Sequence, residues 1–230
     1  MTYRNVALLP MKANSSRVKG KNFRMFRSKP LFSWILETLL SVEDIDLVVI
    51  NTDAREMLAH HGCVDTDRIL IRDRKPSLCG DSVSMNLIIA DDVSSVQSES
   101  YLMTHTTNPL LRSETIANAL SRYSNGLLNG SCDSLFTVGR VQTRFYRADC
   151  SPVNHDPSLL VPTQDLEPWF EENSNLYIFS SSSFAASSAR IGLNPAMYET
   201  PPLESLDIDT PSDWDLAVFA AEYLDNLKPQ

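Results

Sequence analysis

The sequence predicts an α/β fold in which a mostly parallel sheet is covered by helices on both faces. Three observations predict it: short runs of almost only apolar residues, segments with helical apolar spacing between them, and short connecting loops. Such apolar runs are typical of strands buried on both faces, as the strands of parallel sheets are. Their alternation with helices favours three layers with the sheet in the middle, and we treat residues 1–230 as a single domain.

The elements can be assigned in order along the chain. Asp53, Asp81, Ser113 and Thr210 each precede a helical segment and carry a side chain of the type that caps helix N-termini. Pro211 follows Thr210, and proline is favoured in the first turn of a helix. The predicted strands are 6–9, 47–50, 68–71, 101–104, 135–138 and 176–179. The predicted helices are 30–36, 54–58, 82–96, 114–123 and 211–219, and the serines at 180–183 are expected to cap a further short helix.

Residues 140–174 interrupt this alternation. The segment contains four prolines and has little helical periodicity. We predict that it forms an inserted arm, which covers the site or reaches a second subunit.

Charge is distributed unevenly along the chain, whose formal net charge is −9 and whose pI is about 4.9. Eight of the twenty basic residues precede the first acidic residue, Glu37, whereas fourteen acidic residues lie between Asp149 and the C-terminus. The net charge argues against nucleic acid or an anionic membrane as partner. The uneven distribution suggests that the cationic start binds a small polyanion and that late carboxylates hold its metal.

Composition also bears on the compartment. No apolar run is long enough to cross a membrane, and the first residues lack the apolar core of a signal peptide. The four cysteines have no spacing typical of a zinc site or a disulfide framework, so we expect reduced thiols and a cytoplasmic protein.

The loop 12–22 follows the first predicted strand, where an α/β sheet commonly places its phosphate site. Its small residues let backbone N–H groups approach phosphate oxygens. Arg17 can bind two of those oxygens at once, and Lys12 and Lys21 supply point charges. The spacing of a Walker A loop is absent, which argues against a P-loop ATPase.

Two carboxylates at i and i+2, Asp207 and Asp209, precede the last predicted helix. On an extended segment both side chains point to the same side. Mg²⁺ commonly takes one or two protein carboxylates together with phosphates and waters. The pair alone is also compatible with solvated or capping residues, but with the cationic loop it predicts a nucleotide and metal site.

With these motifs the chain resembles the cytidylyltransferases that activate sugar acids, especially the CMP-sialic acid synthetases. Loop 12–22 is similar to the phosphate-binding loop of that family, with Lys12 in place of a leading arginine and Lys21-Asn22 unchanged. Asp207 and Asp209 match the family's metal-binding D-x-D. The resemblance implies a Rossmann-like nucleotidyltransferase fold, with Mg²⁺ as cofactor.

The resemblance also implies roles for single residues. His105 stands where the family commonly has a glutamine that precedes Pro-Thr-Ser-Pro-Leu, and Arg74, with Arg72 as the alternative, matches a nucleotide-contacting arginine. The implied catalytic residues are Lys12, Arg17, Lys21 and Asp209. The implied nucleotide-binding residues are Ser15, Asn22, Arg74, His105 and Thr107. The implied sugar-binding residues are Gln142, Arg144, Gln164, Asn173 and Tyr177, with Arg147 as an alternative arginine.

Together these residues imply a reaction and an assembly. The anomeric hydroxyl of a 2-keto-3-deoxy sugar acid, sialic acid or a related nonulosonic acid, attacks the α-phosphorus of CTP and releases pyrophosphate. The family resemblance further implies a homodimer in which each arm reaches the partner's site.

Two alternatives remain open at this stage. A CMP-3-deoxy-octulosonate synthetase shares the fold, nucleotide and metal, and residues 16–18 favour it slightly. A non-catalytic nucleotide-binding relative is suggested by Lys12 and His105, which depart from the family pattern. Sugar competition and pyrophosphate release would distinguish the three.

Overall fold

The computed structural model describes residues 2–15 and 17–227, so Ser16 of the cationic loop lies outside the described residues. The strands are β1 (Tyr3–Leu8), β2 (Met25–Phe26), β3 (Lys29–Pro30), β4 (Leu47–Thr52), β5 (Ile69–Asp73), β6 (Ser98–Met103), β7 (Ser134–Val141), β8 (Trp169–Phe179) and β9 (Pro195–Glu199). The helices are α1 (Leu31–Ser41), α2 (Arg55–His60), α3 (Met85–Ser95), α4 (Ser113–Leu128), α5 (Ser181–Ser187) and α6 (Pro211–Asn226). Short 3₁₀ turns lie at Lys21–Phe23, Pro76–Leu78 and Thr163–Asp165.

Seven strands form one sheet in the order β5-β4-β1-β6-β8-β7-β9, and β2 pairs with β3 in a small separate hairpin. β1 is parallel to both β4 and β6, and β4 is parallel to β5. β8 is antiparallel to its neighbours β6 and β7, while β9 is parallel to β7. The prediction of a mostly parallel sheet is therefore confirmed.

Helices cover both faces of the sheet, as the apolar strands predict. On one face, alternate residues of β1, β4 and β6 pack against apolar side chains of α1, α2 and α4. On the other face, the intervening residues of the same strands pack against α3 and α5. Because successive side chains of a strand point to opposite faces, a fully apolar strand such as β4 supplies both cores.

The last helix packs against the segment that follows the cationic loop. Trp214 and Ala217 of α6 contact Phe26 and Leu31, and Ile208 joins the same cluster. α6 begins with the predicted Thr210 cap: the Thr210 hydroxyl accepts from the Asp213 N–H, and the Asp213 carboxylate accepts from the Thr210 N–H. This packing brings the acidic end of the chain to its cationic start.

Three of the predicted caps are wrong. α2 has Ala54 at its N-cap, and Asp53 instead accepts from the Ala13 N–H at 2.7 Å. α3 begins at Met85 behind Ser84, because Asp81 pairs with Lys12. Ser113 lies inside α4, whose N-cap is Arg112. Asp53 and Asp81 therefore have partners that are distant in sequence. The serine cap of α5 is confirmed, since Ser180 accepts from the Ser183 N–H.

The arm predicted at 140–174 is an extension of the β7–β8 hairpin. The pairing of β7 with β8 continues out to Val141 and Trp169, so paired strands form the base of the arm. Residues 142–168 connect the two strands. The sequence prediction missed β2, β3 and β9, of which the first two have only two residues each.

No helix within the described ranges is long and apolar enough to span a membrane. Cys63, Cys79, Cys132 and Cys150 are free thiols, as predicted.

Candidate active site

A cleft of about 370 Å³ lies at the carboxyl ends of the central parallel strands. The loop after β1, the residues after β6 and Arg74 directly after β5 line it. From β1 the sheet extends through β4 in one direction and through β6 in the other. Such a switch point between strands opens a crevice where α/β folds bind ligands.

The cationic loop is fastened to the end of β6 by Asn22, which is buried. Its amide nitrogen donates to the Lys12 carbonyl at 2.8 Å, and its amide oxygen accepts from the Thr106 hydroxyl at 2.7 Å. Both ends of the amide are therefore occupied by protein groups. Asn22 shapes the loop, and its predicted place at the nucleotide is indirect.

A second set of bonds fastens the start of the loop to the end of β4. The Met11 N–H donates to the Asn51 carbonyl at 3.1 Å. Arg74 donates to the carbonyls of Met11 and Asn51 at 3.1 and 2.7 Å, and to the Asn51 side chain at 3.0 Å. The Arg74 guanidinium thus lines the cleft while it holds two strand ends together.

Lys21 joins the loop to the D-x-D segment. Its side chain is only 8% exposed, and its ammonium donates to the Ile208 carbonyl and to Asp209 Oδ1, the latter at 3.2 Å. Arg17 donates to the other oxygen, Asp209 Oδ2, at 2.8 Å, but the Arg17 side chain is 63% exposed. Asp209 therefore has one buried and one exposed cationic partner.

Asp207 and Asp209 line the same cleft, as the i, i+2 spacing predicts. Ile208 between them is fully buried against Trp214 and Phe26. The Ile208 N–H donates to the Thr107 carbonyl at 2.9 Å, which ties the segment to the loop after β6. The apolar residue thus turns inwards and directs both carboxylates towards the cleft.

The environment of Asp207 favours a cation. Burial raises the pKa of this carboxyl, the Asp209 charge raises it further, and a Thr107 hydrogen bond opposes both. Asp207 Oδ1 is buried and has no hydrogen-bond partner in the described part of the chain. A buried carboxylate oxygen that lacks a partner is costly unless a ligand satisfies it.

Asp207 and Asp209 are the carboxylates of the cleft that could bind a metal together, since the third, Asp81, pairs with Lys12. Nowhere in residues 2–15 and 17–227 do three or more His, Cys, Asp or Glu side chains cluster so as to hold an ion. Two carboxylates suit Mg²⁺ when phosphates and waters complete its shell. The unpartnered Asp207 oxygen fits this role, while Asp209 would share its oxygens with Arg17 and Lys21.

His105 lies in a cationic environment. Burial lowers its pKa to about 4, and the charges of Arg190 and Lys21 act in the same direction, against the attraction of Asp209. The imidazole is therefore neutral at neutral pH, with one nitrogen as donor and the other as acceptor. In that form the ring offers one hydrogen-bond donor and one acceptor, as a glutamine amide does. They are ring nitrogens rather than an amide nitrogen and oxygen.

The structure places every predicted phosphate, nucleotide and metal residue on the cleft. The lining also includes residues just before and within α3 that were not predicted, because no polar pattern in the sequence marks them. Val83, Met85 and Ile88 form an apolar wall that suits the face of a base, and Gly80 and Asp81 lie beside it. The predicted residues on the cleft are Lys12, Ser15, Arg17, Lys21, Asn22, Arg74, His105, Thr107, Asp207 and Asp209.

The alternative arginine, Arg72, does not reach the cleft. It pairs with Asp91 at 2.9 Å and with Asp92, both on α3. Arg74 lies just beyond the end of β5 and instead donates to the carbonyls of Met11 and Asn51. Of the two, Arg74 is the one at the site.

The predicted sugar-binding residues do not line the cleft of this chain. Gln142 donates to the carbonyls of Gln164 and Leu166 within the arm. Arg144 donates to the Val161 carbonyl, and Arg147 lies 3.5 Å from the Pro152 carbonyl.

The two predicted sugar-binding residues on β8 also make internal bonds. Asn173 donates to the hydroxyls of Thr200 and Ser205 at 2.6 and 3.1 Å. Tyr177 is buried, and its hydroxyl donates to Glu172 and lies 3.2 Å from the Ser174 hydroxyl. Ser174, next to Asn173, is the β8 residue that lines the cleft.

Comparison with known proteins gives a consistent result. A family model described as cytidylyltransferase matches residues 6–228. The CMP-N,N′-diacetyllegionaminic acid synthase of Legionella pneumophila is 27% identical over 93% of this chain and 94% of its own. The pseudaminic acid cytidylyltransferase of Campylobacter jejuni is 22% identical over the same shares. The N-acylneuraminate cytidylyltransferase of Oncorhynchus mykiss is 24% identical over 92% of this chain and 49% of its own.

Solved structures are similar in fold. A CMP-2-keto-3-deoxy-manno-octonic acid synthetase in complex with CTP has a TM-score of 0.65 at 13% identity, and covers 97% of this chain and 100% of its own. The 4-diphosphocytidyl-2C-methyl-D-erythritol synthase of Anaerococcus prevotii has a TM-score of 0.62 at 13% identity, covering 97% and 96%. The sheet and its helical layers are therefore those of known nucleotidyltransferases.

The low pKa of His105 has a measurable consequence. A folded pKa of about 4 lies below the ordinary value of 6.5, so the unfolded chain binds more protons between these pH values. The contribution of His105 to stability is therefore lost as pH falls through this window. We expect His105→Gln to flatten the rise of the unfolding free energy from pH 4 to 6.5, measured by urea denaturation.

His60→Gln, at an exposed position at the end of α2, is the matched control and should leave that rise unchanged. NMR titration of the ring nitrogens measures the pKa directly. A His105 titration near pH 6.5 would contradict the assignment.

Proposed function

Because the chain belongs to the cytidylyltransferase family, we propose that it transfers CMP from CTP to the anomeric hydroxyl of a 2-keto-3-deoxy sugar acid, releasing pyrophosphate. One observation carries the proposal: Lys21 bonds to Ile208 and Asp209, and so brings the phosphate loop and the paired carboxylates into one cleft. Phosphoryl transfer of this kind depends mainly on positioning and on neutralisation of charge. The cleft can meet both requirements, because its cationic side chains and paired carboxylates lie together at fixed positions.

The triphosphate would lie along the loop after β1. Lys12 and Arg17 present cationic groups there, and Ser15 lines the same surface. Lys12 is paired with Asp81, and both side chains remain accessible. A triphosphate carries more charge than one carboxylate, so it can compete for Lys12.

Arg17 is expected to change partner when the nucleotide binds. It bonds to Asp209, but it is the exposed partner of that carboxylate. Transfer of its guanidinium to phosphate oxygens would release Asp209 Oδ2 while Lys21 keeps Asp209 Oδ1. The two cations therefore have distinct roles: Lys21 fixes the site, and Arg17 responds to the ligand.

We propose that Asp207 and Asp209 hold Mg²⁺ once Arg17 has moved. The unpartnered Asp207 oxygen and the released Asp209 oxygen face the same cleft. Bound Mg²⁺ supplies charge neutralisation at the phosphates and lowers the pKa of a hydroxyl that it coordinates. Lys12, Arg17 and Lys21 screen the remaining phosphate charge from the anionic acceptor.

The base would lie near His105, Thr107 and the apolar wall of α3. Val83, Met85 and Ile88 can cover one face of a pyrimidine, and neutral His105 can bond to its edge. Arg74 and Asn22 act here chiefly by holding the strand ends and the loop in place.

A nonulosonic acid is the preferred acceptor. The relatives that align with more than nine-tenths of this chain are named for legionaminic, pseudaminic and N-acylneuraminic acids. The octulosonic acid synthetase shares the fold at 13% identity, which does not bear on the acceptor. Retention of Arg17, Lys21, Asp207 and Asp209 together argues against a relative that has lost catalysis.

We further propose that the protein forms a homodimer and acts in the cytoplasm. The arm exposes apolar side chains, with Leu160 86% and Leu159 61% exposed, and exposed aromatic residues Trp169 and Phe170 lie at its base. Apolar surface of this kind suits contact with a second copy, where Gln142, Arg144 and Gln164 would approach the partner's cleft. Four free thiols fit a reducing compartment.

Pyrophosphate release tests the reaction directly. The assay combines CTP, ATP, GTP or UTP with N-acetylneuraminic, legionaminic, pseudaminic or 3-deoxy-octulosonic acid, with Mg²⁺ or with a chelator. We expect release with CTP and a nonulosonic acid, and its loss in the chelator. Fastest release with octulosonic acid would favour the alternative acceptor, and no release with any pair would overturn the enzymatic proposal.

Asp209→Asn and Asp207→Asn test the carboxylates. Each replaces a charged ligand by a neutral one of similar shape, so we expect pyrophosphate release to fall by roughly 100-fold or more while the circular dichroism spectrum is unchanged. Asp215→Asn, on an exposed face of α6, is the control and should keep full activity. Full activity of the Asp209→Asn variant would refute the metal assignment.

A further inference from the structure

Arg190 neighbours His105, which lines the cleft, and no part of the proposed nucleotide site uses Arg190. It follows α5, and its guanidinium carbon stacks 3.7 Å from the centroid of the Tyr177 ring. One of its nitrogens, Nη2, donates to the Tyr177 hydroxyl at 2.9 Å. The other, Nη1, lies 3.5 Å from His105 Nε2.

The charge of Arg190 is only partly compensated. Its ion pair with Glu172 has an N···O distance of 3.4 Å, which is longer than a charge-assisted hydrogen bond of about 2.8 Å. Glu172 Oε1 bonds more closely to the Tyr177 hydroxyl. The contacts of Nη1 are at 3.5 Å to His105 and 3.8 Å to the Met103 sulfur, so this nitrogen has no strong acceptor among residues 2–15 and 17–227. Arg190 therefore presents an under-used cationic donor, and its side chain is 21% exposed.

The position of this donor matches the chemistry of the acceptor. In a 2-keto-3-deoxy sugar acid the carboxylate carbon is bonded to the anomeric carbon that carries the attacking hydroxyl. A group that binds the carboxylate must therefore lie close to the metal and the α-phosphate. His105, which lies 3.5 Å from Arg190 Nη1, lines the same cleft as Lys21 and Asp209.

We propose that Arg190 Nη1, which neighbours His105 on the wall of the cleft, binds the carboxylate of the acceptor sugar and so selects acidic sugars. This inference rests on the proposed function and names the residue that recognises the acid group. Tyr177 has a positioning role, because its ring and hydroxyl fix the plane of the guanidinium. The arginines predicted for this task in the arm, Arg144 and Arg147, instead contact arm carbonyls.

Arg190→Met tests the assignment, because methionine keeps an apolar stem against Tyr177 and removes the charge. Pyrophosphate release is measured with CTP and N,N′-diacetyllegionaminic acid, or the panel acid that the wild type turns over fastest. We expect the KM for the acid to rise by roughly 10- to 100-fold and the KM for CTP to stay within about twofold. Arg190→Lys keeps the charge but loses the fork, and should show a smaller rise.

The methyl ester of the same acid supplies a readout that a merely structural role would not move. The wild type should prefer the acid over the ester, whereas Arg190→Met should bind both with equally high KM. Arg122→Met, at an exposed position on α4, is the matched control and should retain the wild-type preference.

The outcomes separate the two proposals. A wild type that releases no pyrophosphate with any acid overturns the proposed function and this inference with it. An active wild type overturns the role of Arg190 alone if the Arg190→Met variant keeps the preference for acid over ester, including the case in which both KM values rise by the same factor. If Arg190→Met does not fold, Arg190→Gln, which also removes the charge, decides on the same criterion.

Discussion

The buried ammonium of Lys21 is the interaction on which the cleft depends. It bonds to the Ile208 carbonyl and the Asp209 carboxylate, so a residue near the start of the chain is fixed to a segment near its end. A charge that is 8% exposed requires such partners, because burial without them is costly. The separation between the phosphate loop and the paired carboxylates is therefore set before a ligand arrives. This preorganisation suits a reaction that depends on placing charged groups.

The alternation of apolar strands and helices predicted the sheet, because fully apolar strands such as β4 must be covered on both faces. The i, i+2 spacing with buried Ile208 between the carboxylates likewise predicted their shared direction. The local patterns failed where a side chain has a distant partner. Asp53 and Asp81 look like helix caps in sequence, but they bond to the Ala13 N–H and to Lys12, contacts that no local pattern reveals.

The acceptor side of the site was harder to predict than the nucleotide side for the same physical reason. The phosphate loop is contiguous in sequence, whereas the acceptor side combines His105 after β6, Tyr177 of β8 and Arg190 after α5. Arg190 belongs to no sequence motif. Its charge lowers the pKa of His105, and this effect depends on packing across the sheet. The arm contains the expected polar residues, but in the described chain they bond to the arm itself.

Calorimetric titration of CTP into the wild type and Lys21→Met, each with Mg²⁺ or with a chelator, tests whether Lys21 holds the phosphate loop and the carboxylates in place for the nucleotide and its metal. Methionine removes the charge, and Arg17 still pairs with Asp209, so the fold should be retained. We expect Mg²⁺ to tighten CTP binding to the wild type by roughly tenfold or more, and Lys21→Met to lose this gain. A Lys21→Met variant in which Mg²⁺ tightens CTP binding as much as in the wild type would contradict the role of Lys21.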